Sequence, residues 1–167
     1  MTLITNDYEA YLIVKEHLLK QNAKALGENE DCQYRGYTNT KIEELKEKAE
    51  DIFNEQEIEW ESDKEDIFSH LLADESPDAM CAVGCLLLDD FYHQNLEGKL
   101  IEFEGIVWDA IIKSNPLWKI TDNSLAMLKE LQGIHDHAEV ENWELRLSRL
   151  NANFNIYKDY EPEQEKE

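Results

Sequence analysis

The amino-acid sequence predicts a mostly α-helical protein that folds as a single compact domain, with at most a small strand pair or hairpin. Apolar residues recur at helical spacing along most of the chain, and capping residues precede several of these stretches. Of the 167 residues, 42% are apolar and 10% are aromatic, which is enough to form a core in a chain of single-domain length. We expect this domain to span residues 1–157 and to be followed by a frayed acidic tail, 158–167.

The first helix is predicted over residues 6–24. Asn6 is the expected N-cap, and Leu12 and Leu18 belong to its mostly apolar face. The stretch 27–39 that follows is polar and contains Gly and Asn, which is typical of a loop or a short hairpin.

Two capping boxes of the form S/T-x-x-E predict the second and third helices. Thr40 and Glu43 form one box, and Ser62 and Glu65 form the other. Apolar residues follow each box at helical spacing. Between the two helices, residues 57–61 alternate acidic and apolar side chains, as a short strand or extended segment does.

The second half of the chain is predicted to contain the central buried helix. Ser76 and Pro77 are typical of a helix start, and the run that continues to Leu88 is apolar on nearly every face. The remaining predicted elements are a turn at 95–98, a helix or an extended segment at 105–114, a break at 115–116, an amphipathic helix capped by residues 121–124, and a last helix at about 140–153.

The charge balance is the most unusual property of the sequence. The chain has 38 acidic and 16 basic residues and a net charge of -22, and residues 41–78 alone hold 15 acidic and 4 basic side chains. A field this negative repels nucleic acids and anionic membranes, which excludes them as direct partners. It also accelerates encounter with a basic protein surface. The alternative is that the acidity serves only solubility.

The acidic residues between 41 and 78 lie mainly on predicted elements with apolar backs, so their spacing is fixed. Fixed carboxylates can imitate the phosphate rows of a nucleic-acid duplex, because a rigid framework loses little ordering entropy on binding. The predicted partner-binding residues are Glu43, Glu44, Glu47, Glu50, Asp51, Glu55, Glu57, Glu59, Glu61, Asp63, Glu65 and Asp66.

The three cysteines, Cys32, Cys81 and Cys85, predict reduced thiols in the cytoplasm. Their number is odd, and the N-terminus lacks the basic start and apolar run of a secretion signal. Together with His135 or His137 they match the donors of a zinc site with three thiolates and one imidazole. Their apolar surroundings favour small buried thiols instead, so we predict no metal and no cofactor.

The sequence predicts a protein that is not an enzyme. A cysteine nucleophile needs an electropositive setting, whereas this chain is strongly negative. His135 and His137 lie near a predicted helix end, where histidine interacts favourably with the helix dipole. The sequence contains no Gly-rich phosphate loop, no G-x-S-x-G and no H-E-x-x-H.

Several short sequence motifs resemble motifs that occur together in a group of small phage and prophage proteins. These motifs are Cys32-Gln33-Tyr34-Arg35-Gly36, Met80-Cys81-Ala82-Val83-Gly84-Cys85-Leu86-Leu87, Asp90 with Tyr92, Leu96-Glu97-Gly98, Leu131-Gln132-Gly133-Ile134-His135-Asp136, and Trp143. Through them the chain resembles that group over roughly residues 8–36 and 79–150. The resemblance implies a phage origin and implies no particular activity.

The sequence departs from this group between the first two motifs. In the group, the second motif follows almost directly after the first. Here an acidic insert of about residues 37–79 separates them. In its charge the insert is similar to the anti-defence inhibitors that mimic DNA, the antirestriction and anti-CRISPR proteins.

Two functions remain open from the sequence. The first is a phage-type inhibitor in the host cytoplasm that binds the nucleic-acid-binding surface of a CRISPR effector or restriction enzyme by DNA mimicry. The second is a protein-interaction module that binds its partner through an apolar aromatic patch, with Trp60, Trp108 or Trp118 as candidate residues. The sequence leaves the oligomeric state undetermined.

Overall fold

The computed structural model describes residues 3–29, 31–55 and 61–154, and in these residues the mostly α-helical fold class is confirmed. The helices are α1 Asp7–Gln21, α2 Asn39–Glu55, α3 Glu61–Ala73, α4 Ile106–Ser114, α5 Ser124–His137 and α6 Trp143–Phe154. Two short strands, β1 Arg35–Gly36 and β2 Ala79–Met80, pair antiparallel and complete the regular elements apart from short 3-10 turns.

The main hydrophobic core lies among α1, α4, α5 and α6. Tyr11, Leu128 and Trp143 are among its fully buried side chains. The Tyr11 hydroxyl donates to the carbonyl of Leu147 at 3.0 Å, so a polar group in the core links α1 to α6. We call this part of the molecule the body.

Helix α1 begins as the sequence predicts. The side-chain oxygen of Asn6 accepts a hydrogen bond from the backbone N–H of Glu9 at 2.9 Å, which confirms the N-cap. The helix ends at Gln21, three residues before the predicted end, because Asn22 adopts the left-handed conformation with φ 51°.

Helices α2 and α3 pack against each other, and we call this pair of helices the acidic hairpin. A hydrophobic cluster separate from the main core lies between them. Its buried residues are Leu26, Ile42, Leu45, Ala49, Phe68 and Leu72. Both predicted capping boxes are displaced. Helix α2 begins at Asn39, where the Thr38 hydroxyl accepts a hydrogen bond from the N–H of Lys41, and α3 begins at Glu61, so Thr40 and Ser62 lie inside the helices.

The prediction of a central buried helix from Ser76 to Leu88 is wrong. The segment contains β2 and a 3-10 turn over Gly84–Leu86. Outside this turn, the N–H groups of Cys81, Val83 and Leu88 donate to Tyr34, Gln132 and Ser114 in other segments rather than along a helix. It is apolar on every face because it passes through the core, and hydrophobic periodicity does not separate such a segment from a buried helix. A Cβ at Gly84 would lie 1.9 Å from the carbonyl oxygen of Tyr34, so only glycine permits this close approach.

The later elements agree more closely with the sequence. Residues 105–114, left open between helix and strand, contain α4, which ends before Asn115 as expected. The last helix begins at Trp143 after a 3-10 turn over Val140–Asn142. The predicted strand at 57–61 and the tail at 158–167 fall outside the described residues, except that Glu61 begins α3.

Within the described part of the chain, every helix is too short or too polar to cross a lipid bilayer.

Candidate functional site

The acidic hairpin presents carboxylates to solvent on the side opposite its apolar cluster. Seven of the twelve predicted partner-binding residues have described side chains, and all seven are exposed: Glu43, Glu44, Glu47, Glu50, Asp51, Glu65 and Asp66. Their exposure follows from helical geometry, because the buried residues Ile42, Leu45 and Ala49 fix the opposite face of α2.

The side chains of the remaining five predicted residues lie outside the described part of the structure. Glu55, Glu61 and Asp63 lie in α2 or α3, but their side chains are outside the described residues, and Glu57 and Glu59 lie in the undescribed residues 56–60.

Two lysines of the hairpin lie on aromatic rings in the seam between its helices. The Lys64 ammonium is 3.1 Å from a carboxylate oxygen of Glu50 and 4.9 Å from the ring centroid of Phe53. The Lys46 ammonium is 5.9 Å from the ring centroid of Phe68. These two positive charges therefore lie towards the seam and leave most of the outward-facing carboxylates exposed to a partner.

A second candidate region lies in the body, where Glu97 connects segments that are distant in the chain. Its carboxylate accepts hydrogen bonds from the backbone N–H groups of Tyr34 and Arg35, at 2.7 and 3.1 Å, and from the Tyr92 hydroxyl at 2.8 Å. The Arg35 guanidinium lies 4.3 Å from the centroid of the Tyr92 ring and pairs with Asp89 at 2.7 Å. Glu97 therefore fixes β1 to the loop that follows the 3-10 turns.

His135, at the end of α5, is fully buried, and both of its ring nitrogens are occupied. Nδ1 lies 2.8 Å from a carboxylate oxygen of Asp136, and Nε2 lies 3.1 Å from the backbone nitrogen of Ala25, whose N–H it accepts. A neutral ring with its proton on Nδ1 satisfies both contacts. Gln132 donates to the same Asp136 oxygen at 2.7 Å, so the cluster connects α5 to the segment before β1.

The four predicted zinc donors do not come together. The structure instead groups donor atoms of Cys32, His135 and Asp136 within 4.8 Å of one another. The Cys81 sulfur accepts a hydrogen bond from the Gly84 N–H at 3.2 Å. A metal on Nδ1 of His135 would shift the ring proton to Nε2, where it would face the N–H of Ala25. The grouped residues therefore do not fit a metal ion.

The cysteines are poorly suited to act as nucleophiles. Burial, reinforced by the neighbouring Asp136 carboxylate, raises the pKa of Cys32 to about 11. Burial also raises the pKa of Cys85 to about 12 and that of Cys81 well above its usual range. At neutral pH all three are thiols, whereas attack on an electrophile requires the thiolate.

The pKa of Asp136 is shifted in the opposite direction from the pKa values of the cysteines, because it is lowered. Burial acts to raise its pKa, but hydrogen bonds from His135, Gln132 and Cys32 outweigh that effect and lower the pKa. The carboxylate is therefore ionised in the folded protein at neutral pH, and it stabilises the cluster by accepting these bonds.

A cleft of about 420 Å³ opens beside this cluster. Residues 97–102 form one wall, and the other is formed by α5 residues that include Lys129 and Gly133. Cys32 and Tyr34 also line it. The amino-acid sequence gives no signal for this cleft, because its walls are about 30 residues apart in the chain and nothing in their spacing indicates contact.

The aromatic patch expected for the interaction module is not formed as predicted. Trp108 and Trp118 are each only 6% exposed, and Trp60 lies outside the described residues. The Trp118 indole N–H donates to Asp7 at 2.8 Å, so this side chain serves the body. The exposed apolar side chains lie elsewhere, notably Leu100 at 77% and Phe103 at 66%.

Comparison with known proteins gives no match: neither a family model, nor a curated protein, nor a solved structure matches the chain.

Proposed function

We propose that the protein binds a positively charged nucleic-acid-binding surface of another protein through the acidic hairpin, and that it blocks this surface by imitating DNA. The observation that supports the proposal best is the arrangement of α2 and α3. They direct seven exposed carboxylates outward over an apolar cluster of their own. Half of the net charge of -22 falls between residues 41 and 78, the same part of the chain.

The spacing of the acids on α2 suits this role. Glu43, Glu47 and Asp51 follow at intervals of four residues, which places them on one side of the helix about 6 Å apart along its axis. Arginine and lysine side chains that normally hold phosphates can form charge-assisted hydrogen bonds with such a row. Because a helix holds the row, binding requires little loss of conformational entropy.

The resemblance of the body to small phage proteins directs the choice of target. A phage protein gains from blocking the nucleases of its host, and these enzymes bind DNA or RNA through basic grooves. The first targets to test are therefore CRISPR effectors and restriction enzymes.

The test compares two triple variants of equal charge. The first carries Glu43→Lys, Glu47→Lys and Asp51→Lys in the hairpin. The control carries Glu16→Lys, Glu130→Lys and Glu141→Lys, three exposed positions in the body. Lysate proteins retained by the wild type are identified in about 0.05 M salt and eluted in about 0.5 M salt, where the screening length falls to a few ångström.

We expect the wild type to retain nucleic-acid-binding proteins that competing DNA displaces. The hairpin variant should lose at least about 100-fold in affinity for them, since like charges across an interface cost several kcal/mol. The control should lose much less. Equal losses in both variants would mean that bulk charge alone drives binding, and an unaffected hairpin variant would contradict the proposed site.

A second candidate function is favoured by the exposed apolar residues Leu100, Phe103 and Ile106, which lie close together in sequence on the body. Such side chains are typical of a protein-interaction surface. Binding there would survive about 0.5 M salt and the hairpin variant, and it would be lost in Phe103→Ser. The two triple variants and this substitution therefore separate the two functions.

A further inference from the structure

Five of the ten large exposed apolar side chains in the described residues lie in one stretch of the body, residues 99–120. They are Leu100, Phe103, Ile106, Leu117 and Ile120. In a chain with a net charge of -22, this stretch is neutral, because it holds three lysines and three acidic residues. Another copy of the chain, which carries the same negative charge, is therefore repelled least at this surface.

Helix α4 forms the middle of this surface. Its exposed side chains are Ile106, Asp109 and Lys113, which follow at intervals of three and four residues and therefore share one face. The opposite face is buried in the main core. Neither Asp109 nor Lys113 forms an ion pair with another residue of the described part of the chain. Both charges therefore remain available to a partner.

Apolar side chains lie at both ends of the exposed face of α4. Phe103 precedes the helix and is 66% exposed, and its ring centroid lies 6.2 Å from that of the buried Trp108, which supports it. Leu117 and Ile120 follow the helix and are exposed as well. From one end of the surface to the other, the side chains are thus apolar, acidic, basic and apolar in turn.

This order is complementary to itself. When two copies of a helix pack antiparallel about a two-fold axis, a residue on one side of the axis faces a residue at the same distance on the other side in the second copy. With the axis at the middle of α4, Asp109 of each copy faces Lys113 of the other. Phe103 of each copy then faces Leu117 and Ile120 of the other. A parallel arrangement would set equal charges against each other, so the pattern favours the antiparallel one.

We propose that this surface joins two copies of the chain in a symmetric dimer, in which the two α4 helices pack antiparallel. The proposal assigns a specific partner to the apolar surface around Phe103, and it does not depend on the acidic hairpin. Because α4 has only nine residues, the interface is small, and we expect a dissociation constant of about 10–100 µM.

The test is sedimentation equilibrium of the purified full-length protein at about 5–500 µM. We expect the average mass to rise from that of one chain towards that of two. Raising the salt concentration from about 0.05 to 0.5 M should tighten the dimer, because it screens the repulsion between two copies of net charge -22. The hairpin triple variant should still form the dimer, so failure of this proposal and failure of the proposed function are distinguishable.

Variants of the surface test which residues face each other. Phe103→Ser should weaken the dimer at least about tenfold, because it removes apolar contact area. Asp109→Lys should also weaken it about tenfold, because it sets lysines against each other, although it makes the chain less negative. Adding Lys113→Asp to Asp109→Lys reverses both charges and should restore the dissociation constant to within about threefold. The control Glu16→Lys, an exposed position of α1 with the same change in charge, should not weaken the dimer.

Three results would overturn the proposal. A single-chain mass at every concentration and salt would mean that the surface is free or belongs to a different protein, which loss of a lysate partner in Phe103→Ser would identify. A dimer that persists in both Phe103→Ser and Asp109→Lys would use another surface. A charge swap that does not restore the dimer would contradict the antiparallel arrangement. If circular dichroism shows that Asp109→Lys does not fold, Lys113→Glu sets carboxylates against each other and decides the same question.

Discussion

The body and the acidic hairpin are built in different ways. The body packs four helices around a large core that contains fully buried Trp143, Tyr11 and Leu128, and its buried Tyr11 hydroxyl and His135 ring form hydrogen bonds to backbone groups. The hairpin has a much smaller core, with Ile42, Leu45 and Phe68 among its buried residues, and it carries a dense set of like charges. The region that carries the proposed binding function is therefore the one with less apolar burial to stabilise it.

The two regions are connected by the buried side chain of Leu26 and by several hydrogen bonds. The Tyr37 hydroxyl lies 3.1 Å from the carbonyl oxygens of both Leu72 and Glu75. At the start of α2, the N–H and the hydroxyl of Thr38 donate to the Asp78 carboxylate at 2.9 and 3.1 Å. Because the hairpin has the smaller core, we expect it to open locally while the body stays folded.

The largest effect is expected from a cavity in the body. Trp143→Ala removes a fully buried indole whose ring centroid lies 5.6 Å from that of His135. The indole N–H also donates a hydrogen bond to the Ala138 carbonyl. The substitution should lower the free energy of unfolding by about 3–5 kcal/mol. Urea unfolding followed by circular dichroism measures this loss, and hydrogen exchange should become faster in both regions.

Phe68→Ala is the matched change in the hairpin. Phe68 belongs to the separate cluster and is 8% exposed. In the Phe68→Ala variant, hydrogen exchange should be faster than in the wild type only for amides of α2 and α3. If exchange in α5 and α6 rises equally, the hairpin and body unfold as one cooperative unit, and the hairpin does not open separately.

An intermediate effect is expected from Asp136→Asn in the body. Its pKa is lower in the folded protein than in the unfolded chain, so the unfolded chain takes up the proton first as the pH falls. The stability from this carboxylate is thus present above about pH 4 and is lost as the pH falls through the folded pKa. At pH 7 the variant should be about 1.5–3 kcal/mol less stable, since it weakens hydrogen bonds to a charged group.

The difference between wild type and Asp136→Asn should shrink from pH 5 to pH 2. Urea unfolding at several pH values measures it, with Asp109→Asn at an exposed position as the control. A difference that stays constant over this range would show that Asp136 acts through packing and not through its charge.

The smallest effect concerns repulsion within the hairpin. Glu43, Glu47 and Asp51 form like-charge pairs at i,i+4, and each such pair destabilises a helix by about 0.2–0.5 kcal/mol. Raising the salt concentration from about 0.02 to 0.5 M screens this repulsion. Hydrogen exchange of the α2 amides should slow about two- to fivefold, by up to about 1 kcal/mol, whereas α5 amides should change less. An equal change in both helices would exclude local repulsion as the cause.

Local signals predicted several helix ends, although the two capping boxes at Thr40 and Ser62 were displaced. Asn6 caps α1, Asn115 follows the end of α4, and α5 begins at Ser124 within the predicted cap segment. Each of these depends on a few neighbouring residues whose chemistry is decided within one helical turn. The prediction of a single domain over residues 1–157 stays a prediction.

Predictions that depended on burial were less successful. The run ending at Leu88 was expected to be a helix, and Trp108 and Trp118 were expected at an exposed patch. An apolar residue is compatible with a helix, a strand or an irregular buried segment. Its environment is chosen by what packs against it, which one-dimensional periodicity does not contain.

For the candidate site too, the sequence predicted the features that depend on local spacing and not those that depend on long-range packing. Helical spacing was sufficient to predict that Glu43, Glu47 and Asp51 face solvent, because the buried face of α2 is fixed by its own apolar residues. Spacing did not predict that Cys32 lies beside His135 and Asp136 rather than beside Cys81 and Cys85 in a metal site. That grouping joins residues about 100 positions apart.

The sequence by itself determined the helical class, the excess of negative charge and its concentration between residues 41 and 78, because these follow from composition and from contacts within a few residues. The tertiary structure alone decided that the hairpin has its own core, that segments distant in the chain meet around Glu97 and Asp136, and that Gly133 faces an open cleft. These features arise from long-range packing, in which each side chain is placed by partners distant in the chain.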